Sequence, residues 1–189
     1  MKSKQEVRKE YMALRNAVSK EDNYQASAQI IEQIMEHLDF DAYEEYLLFY
    51  PLEHEINLLP LAAQLLQIGK QVAFPRVHGD TMDFYQVTNL RKDFAEGCFH
   101  VMEPQTEVPA NLRSSICFVP GLVYDSRFFR LGYGKGYYDR YLSAYPQIDS
   151  AGICSNRFFL PEIPVDERDV SVDRIFTETG VYYNERMNE

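Results

Sequence analysis

Apolar positions in this chain come either in helical stripes or in short unbroken runs. After Ser19, the residues Ala26, Ile30, Ile34 and Leu38 recur at a spacing of four, which predicts an amphipathic helix with one core-facing stripe. Ser19 followed by Asp22 marks its start, with a carboxylate near the donor-rich end. The preceding residues 3–17 are rich in Lys, Glu and Arg and predict a first helix with no evident core face. Three unbroken runs then read as buried strands: Tyr46–Pro51 (YLLFYP), Gln71–Pro75 (QVAFP) and Ser115–Pro120 (SICFVP). Asn57 can cap a helix reaching about Ile68, with Gly69 ending it.

The order strand–helix–strand with short connections predicts a parallel crossover. Residues 82–87 (MDFYQV) alternate as a strand does, and residues 88–114 carry no readable element. A helix is expected from about Gly136 to Ala144, a final core strand over 149–154, a loop or short helix around PEIPVDERD, and an edge strand over VSVDRIFTE, residues 170–178. The expectation is one α/β domain over residues 1–189, with an open, mostly parallel sheet flanked by helices in three Rossmann-like layers. Three predicted strands end in YP, FP and VP. If they are parallel, the segments after Pro51, Pro75 and Pro120 meet on the carboxyl rim, where open α/β sheets bind ligands.

Composition narrows the function. A net charge of −10 argues against a general nucleic-acid binder, because neutralising phosphates needs an excess of Lys and Arg. A local basic pocket for one small anion remains compatible with it. Residues 1–15 lack the apolar centre of a signal peptide, and no apolar run approaches the roughly 20 residues of a membrane span. Cys98, Cys117 and Cys154 form neither a disulfide framework nor a zinc pattern and read as buried thiols of a reducing compartment. These features predict a soluble cytoplasmic protein.

The densest chemistry lies in RLGYGKGYYDRYL, Arg130–Leu142. Alternating glycines allow backbone N–H groups to turn inward around phosphate, and a helix opening behind them adds its positive end. Lys135 adds a mobile point charge, Arg130 a planar two-pronged donor, and Asp139 a carboxylate able to hold magnesium. Known phosphate motifs fit poorly: Gly136 stands where Walker A needs Ser or Thr, and Tyr137 where GxGxxG needs Gly. From the residues alone, a phosphate cradle, a plain glycine turn into an amphipathic helix and a nucleic-acid patch all stay open.

The longer string, Tyr124-Asp125 followed by RLGYGKGYYDRYL after a strand ending VPGL, resembles the signature of the 5-formyltetrahydrofolate cyclo-ligase family. The resemblance extends to Lys4 and Arg8 four apart in the first helix, to PLEHEIN with Glu55, and to AFPRV with the Met82-Asp83-Phe84 element. It also includes Pro164, Asp166, Asp169 and Asp173 near the C-terminus. One position departs: Phe128 stands where the family has a glycine two residues before the arginine. The SRFF segment must therefore turn differently or under strain.

The resemblance implies ATP-dependent cyclisation of 5-formyltetrahydrofolate to 5,10-methenyltetrahydrofolate, with ADP and phosphate released and Mg2+ as companion of the nucleotide. It implies that ATP meets Lys4, Arg8, Arg130, Leu131, Gly132, Tyr133, Gly134, Lys135, Gly136, Tyr137 and Tyr138. Lys135 and Arg130 would be catalytic, Asp139 and Asp173 would bind metal, and Tyr50, Glu55 and Tyr133 would contact the reduced folate. The partners expected are these two small molecules, with neither nucleic acid nor membrane, and the protein is expected to be a monomer. Alternatives are a kinase or ligase acting on another small substrate, or a non-catalytic folate- or nucleotide-binding module.

Overall fold

The computed structural model describes residues 2–185. Ser3 caps helix α1 (Lys4–Asn16) through a reciprocal box: its hydroxyl accepts from the Glu6 N–H, while the Glu6 carboxylate accepts from the Ser3 N–H at 2.7 Å. Helix α2 (Lys20–His37) starts on the Ser19 hydroxyl and buries Ile30 and Ile34 completely. Helix α3 (Leu59–Gln67) has Leu58 as its cap residue. Asn57 still contributes, its Oδ1 accepting from the Leu59 N–H at 2.9 Å, one residue away from the cap expected of it. Gly69, at φ of 82°, follows the end of that helix, and α4 (Tyr137–Ala144) follows the glycine loop.

The strands, in chain order, are β1 (Glu45–Leu47), β2 (Gln71–His78), β3 (Thr81–Val87), β4 (Phe94–Glu96), β5 (Met102–Pro104), β6 (Ser115–Val119), β7 (Val123–Asp125), β8 (Arg130–Leu131), β9 (Asp149–Ile153), β10 (Phe159–Leu160), β11 (Arg174–Thr177) and β12 (Gly180–Tyr183). Seven of them form one sheet in the order β12-β11-β9-β6-β1-β2-β3. The five inner strands are parallel, and β12 and β3 are antiparallel edges. Neighbouring residues of β1 point to opposite faces, as the two-residue repeat of a strand requires. Tyr46 joins Ile30, Ile34, Leu61 and Leu65 under α2 and α3. Leu47 joins Val7, Tyr141 and Leu142 under α1 and α4. The result is the expected three-layer α/β arrangement.

Four details differ from the sequence-based reading. Strand β2 runs through Pro75 instead of stopping there, because its pairing with β1 ends at Ala73 and the remainder forms a hairpin with β3 alone. Residues 170–178 do not form an edge: β11 lies between β9 and β12, joined to β12 by the two-residue turn Glu178-Thr179. Residues 88–114 contain the β4–β5 ribbon, and the end of this segment is held by Glu45, whose buried carboxylate accepts from the N–H groups of Asn111 (3.0 Å) and Leu112 (2.9 Å). Cys117 and Cys154 are buried, and burial pushes the Cys117 thiol up to about 12, but Cys98 is exposed. Among the described residues no helix is long and apolar enough to cross a membrane.

Candidate functional site

The parallel strands β1, β2 and β6 deliver their following segments to one rim, and a cleft of about 870 Å³ opens there. That volume suits a small-molecule ligand. Tyr50 and Glu55 come from the segment after β1, Pro75 and Val77 from β2, and Pro120 and Gly121 from the end of β6. The glycine stretch forms another wall, and α1 contributes Lys4 and Arg8. Although the protein carries a net charge of −10, this cleft gathers six Lys and Arg side chains against five Asp and Glu. The placement makes it an anion-tolerant pocket within an acidic protein.

The approach to the glycine stretch is built on Asp125, which is completely buried. Its Oδ1 accepts from the N–H groups of Arg127 (3.0 Å) and Phe129 (3.1 Å). Its Oδ2 accepts from the Arg127 guanidinium (2.7 Å) and the Ile163 N–H (3.1 Å). The carboxylate therefore fixes the four-residue loop between β7 and β8 (126–129) and ties it to the segment near Ile163. Phe128 occupies the third position of that loop at φ of 69°. The backbone thus adopts the glycine-type turn with a phenylalanine in it, and hydrogen bonds from Phe128 N–H to Asp125 and from Val172 N–H to Phe128 lock it at 2.9 Å each. A side chain in this region costs about 1 kcal/mol, while the half-buried ring recovers some of that by packing on the second core cluster. Phe128→Ala should accordingly be less stable than Phe128→Gly by about 1 kcal/mol, reversing the usual order of alanine and glycine. Urea denaturation of the two variants checks this, and equal midpoints would remove the strain from this turn.

Within the loop, Gly134 has φ of 97° and Gly136 φ of 69°. A Cβ on Gly134 would lie 3.3 Å from the Arg8 guanidinium carbon, so the glycine lets Arg8 lie against the loop. Arg8 Nε donates to the Gly132 carbonyl at 2.9 Å. Lys135 is exposed, and its ammonium lies 5.3 Å from the centre of the Phe99 ring. Tyr137 donates its hydroxyl to the Gly79 carbonyl at 2.8 Å, fastening the loop to the β2–β3 hairpin. Tyr138 backs the cleft beside Phe84 and under the Arg130 guanidinium, and burial raises its phenol well above the ordinary value. Leu131 is buried at 1% exposure and packs into the second core cluster from the wall of the cleft.

Arg130 is buried and pairs with Asp139 Oδ1 at 3.0 Å. The same oxygen accepts from the Val170 N–H at 3.1 Å. Lys4 reaches across from α1 to Asp166 (2.8 Å) and Asp169 (2.5 Å), which hold Lys4 in its charged form above its ordinary value despite the opposing cost of burial. The acidic motif near the C-terminus is thus divided by the fold. Asp166 and Asp169 stand at the cleft, but Asp173 does not: it precedes β11, at the amino end of the strands, and accepts from the N–H (2.7 Å) and hydroxyl (2.8 Å) of Ser150. The expectation of Asp173 as a metal ligand is corrected accordingly. Among the described residues, no group of three His, Cys, Asp or Glu side chains could hold a metal ion.

At the inner end, Glu55 is buried and its Oε2 accepts from the Leu52 N–H at 2.8 Å. Tyr133 donates its hydroxyl to Glu55 Oε1 at 3.3 Å and accepts from Arg15, whose guanidinium also lies 5.1 Å above the tyrosine ring. Burial, chiefly, lifts the Glu55 carboxyl above its ordinary value, opposed by the Leu52 N–H, Arg15 and Tyr133; burial also pushes the Tyr133 phenol up to about 12. Tyr50 packs on Phe94, ring centres 5.0 Å apart, at the edge of the same space. Two residues here were missed from the sequence. Asp125 lay within the glycine-loop signature and could have been singled out. Arg15 offered no signal, since a buried arginine on a charged helix looks like a surface one.

Comparison with known proteins bears on this geometry. Residues 1–178 match the model of the 5-formyltetrahydrofolate cyclo-ligase family. The chain is 24% identical over 190 residues to the 5-formyltetrahydrofolate cyclo-ligase of Mus musculus, covering 93% of this chain and 94% of that one. It is 32% identical over 133 residues to a probable 5-formyltetrahydrofolate cyclo-ligase of Schizosaccharomyces pombe, covering 61% of this chain and 65% of that one. An Aquifex aeolicus 5,10-methenyltetrahydrofolate synthetase superposes with a TM-score of 0.85 at 29% identity, over 96% of this chain and 92% of that one. A Mycoplasma pneumoniae 5,10-methenyltetrahydrofolate synthetase shares the fold at a TM-score of 0.73 and 21% identity, over 94% of this chain and 99% of that one. With a family match running from the first helix through β11, the chain belongs to the 5-formyltetrahydrofolate cyclo-ligase family.

Proposed function

We propose that this protein uses ATP to cyclise 5-formyltetrahydrofolate to 5,10-methenyltetrahydrofolate, releasing ADP and phosphate. The observation that carries the reading is that the glycine loop, Lys4, Arg8 and Arg130 share one cleft with Glu55, Tyr50 and Tyr133. A formamide oxygen is a poor leaving group. In the proposed sequence it attacks the γ-phosphorus, ADP departs, and an iminophosphate forms. The neighbouring amine nitrogen then adds to the formyl carbon and loses its proton, and phosphate leaves carrying the former formyl oxygen. The protein's work is alignment and stabilisation of spreading negative charge. Lys135, Arg130, Lys4 and Arg8 supply the charge, and the loop glycines bring backbone N–H groups to the phosphates. Glu55 meets the N–H edge of the pterin, with Tyr50 and Tyr133 as walls.

Magnesium fits this site as a companion of the nucleotide. Such an ion needs only one or two carboxylates when phosphates provide the rest. Both hydrogen bonds made by the Asp139 carboxylate fall on Oδ1, which leaves Oδ2 for a cation. When bound, the ion neutralises phosphate charge; Asp139 would hold it. The reading includes action as a monomer. A cytoplasmic location belongs to the same reading, supported by three unpaired thiols.

The test is the appearance of methenyltetrahydrofolate absorbance in the purified protein. It is expected only when ATP, magnesium and 5-formyltetrahydrofolate are all present. Binding of both ligands without turnover would favour a sequestering module, and ATP hydrolysis with a different acceptor would favour another kinase or ligase.

A further inference from the structure

Arg15 is the least expected group in the molecule. It is 6% exposed, and two of its guanidinium nitrogens, Nε and Nη1, have no hydrogen-bond partner among the described residues. Buried cations are costly unless paired and hydrogen-bonded, and an apolar residue of similar size packs such a position more favourably. Its carboxylate neighbour is Glu55, with Nη1 3.9 Å from Oε1, and its third nitrogen donates to Tyr133, which donates in turn to Glu55. The other groups facing Glu55 are neutral: the Leu52 N–H, the Asn23 side chain on the Glu55 carbonyl (2.9 Å), and the Tyr133 hydroxyl. Around the adjoining cavity of about 200 Å³, Arg157 pairs with Asp22 (3.6 Å) and Glu178 accepts from Ser155 (2.6 Å), while His54, next to Glu55 in the chain, is the further lining group that can carry charge. Burial works against a charged Glu55, and Arg15 is the cation placed beside it that, with the Leu52 N–H, favours the ionised carboxylate.

That state matters for recognition. An ionised carboxylate only accepts hydrogen bonds, whereas its protonated form also donates one. A heterocycle edge carrying an amino group beside a ring N–H needs the acceptor form. We propose that Arg15 is a positioning residue for the reduced folate: it keeps Glu55 charged and aims it into the cleft to receive two adjacent N–H donors. This rests on the cyclo-ligase reading for the identity of the ligand, but not for the coupling between Arg15 and Glu55.

The experiment compares wild type, Arg15→Met and Arg15→Lys by steady-state kinetics, from mildly acidic to mildly alkaline pH. Arg15→Met is expected to raise the KM for 5-formyltetrahydrofolate at least about tenfold at the acidic end. The defect should shrink as pH rises and Glu55 ionises unaided, with kcat and the KM for ATP little changed. Arg15→Lys should stay near wild type. An unchanged folate KM, a rise of equal factor at every pH, or a parallel loss of ATP affinity would overturn the assignment. Should Arg15→Met not fold, Tyr133→Phe keeps the packing and should raise the folate KM several-fold without affecting ATP; no change would count against the relay. Absence of turnover in the wild type would sink the cyclo-ligase reading separately. The coupling is then read by NMR titration of the Glu55 carboxyl, which should move to higher pH in Arg15→Met. An unmoved titration would refute it.

Discussion

Lys135→Ala is expected to lower kcat at least about a hundredfold, equivalent to about 2.7 kcal/mol of transition-state stabilisation, with the fold intact. The reasoning is a comparison of the cations around the cleft. Lys4 is clamped by Asp166 and Asp169, and Arg130 by Asp139. Arg8 is spent partly on the Gly132 carbonyl. Lys135 has no carboxylate partner among the described residues, stands exposed, and is flanked by two glycines in left-handed conformations. It can move with charge that shifts during phosphoryl transfer, whereas the paired cations are fixed. Its loss should therefore appear in kcat more than in the KM for ATP. A folded Lys135→Ala protein turning over at the wild-type rate would take this residue out of the chemistry.

Asp125→Ala should be the most damaging change away from the cleft. The substitution strips acceptors from the buried Phe129 and Ile163 N–H groups and releases the Arg127 guanidinium. Losing a buried, hydrogen-bonded charge of this kind costs about 3 kcal/mol, or about 6–12 °C in Tm for a chain of this size. Calorimetry reads the effect directly, and a shift below about 2 °C would mean that the loop holds itself without the carboxylate. Because Arg130 follows directly from this loop, the same variant should bind ATP more weakly even where it remains folded.

The core strands were legible as unbroken apolar runs, and SICFV became β6 over its full length up to its proline, whereas β1 ends at Leu47, short of Pro51. The glycine loop was legible because its residue types serve both turn and ligand. What stayed hidden did so for physical reasons. Strand β2 passes its proline because only one neighbour accompanies it there, and sheet position is not written in a strand's own residues. Residues 88–114 depend on a carboxylate from β1, Glu45, and on left-handed Phe99 and His100, none of which leaves a periodic trace. Asp166, Asp169 and Asp173 look alike in sequence. The fold separates them because the chain crosses from the carboxyl rim to the amino end of β11 within those few residues. Arg15 was unreadable because hydrophobic patterning assigns every arginine to the surface.

Helix α1 has a consequence for the order in which the protein becomes active. Its Lys4, Arg8 and Arg15 find their partners 165, 124 and 118 residues further on. During synthesis the helix emerges first, and the sheet strands and glycine loop follow. Until residues 166–169 have left the ribosome, Lys4 has no acidic clamp and the cleft lacks one of its sides. A partly made chain can therefore hold the glycine loop without the assembled cleft.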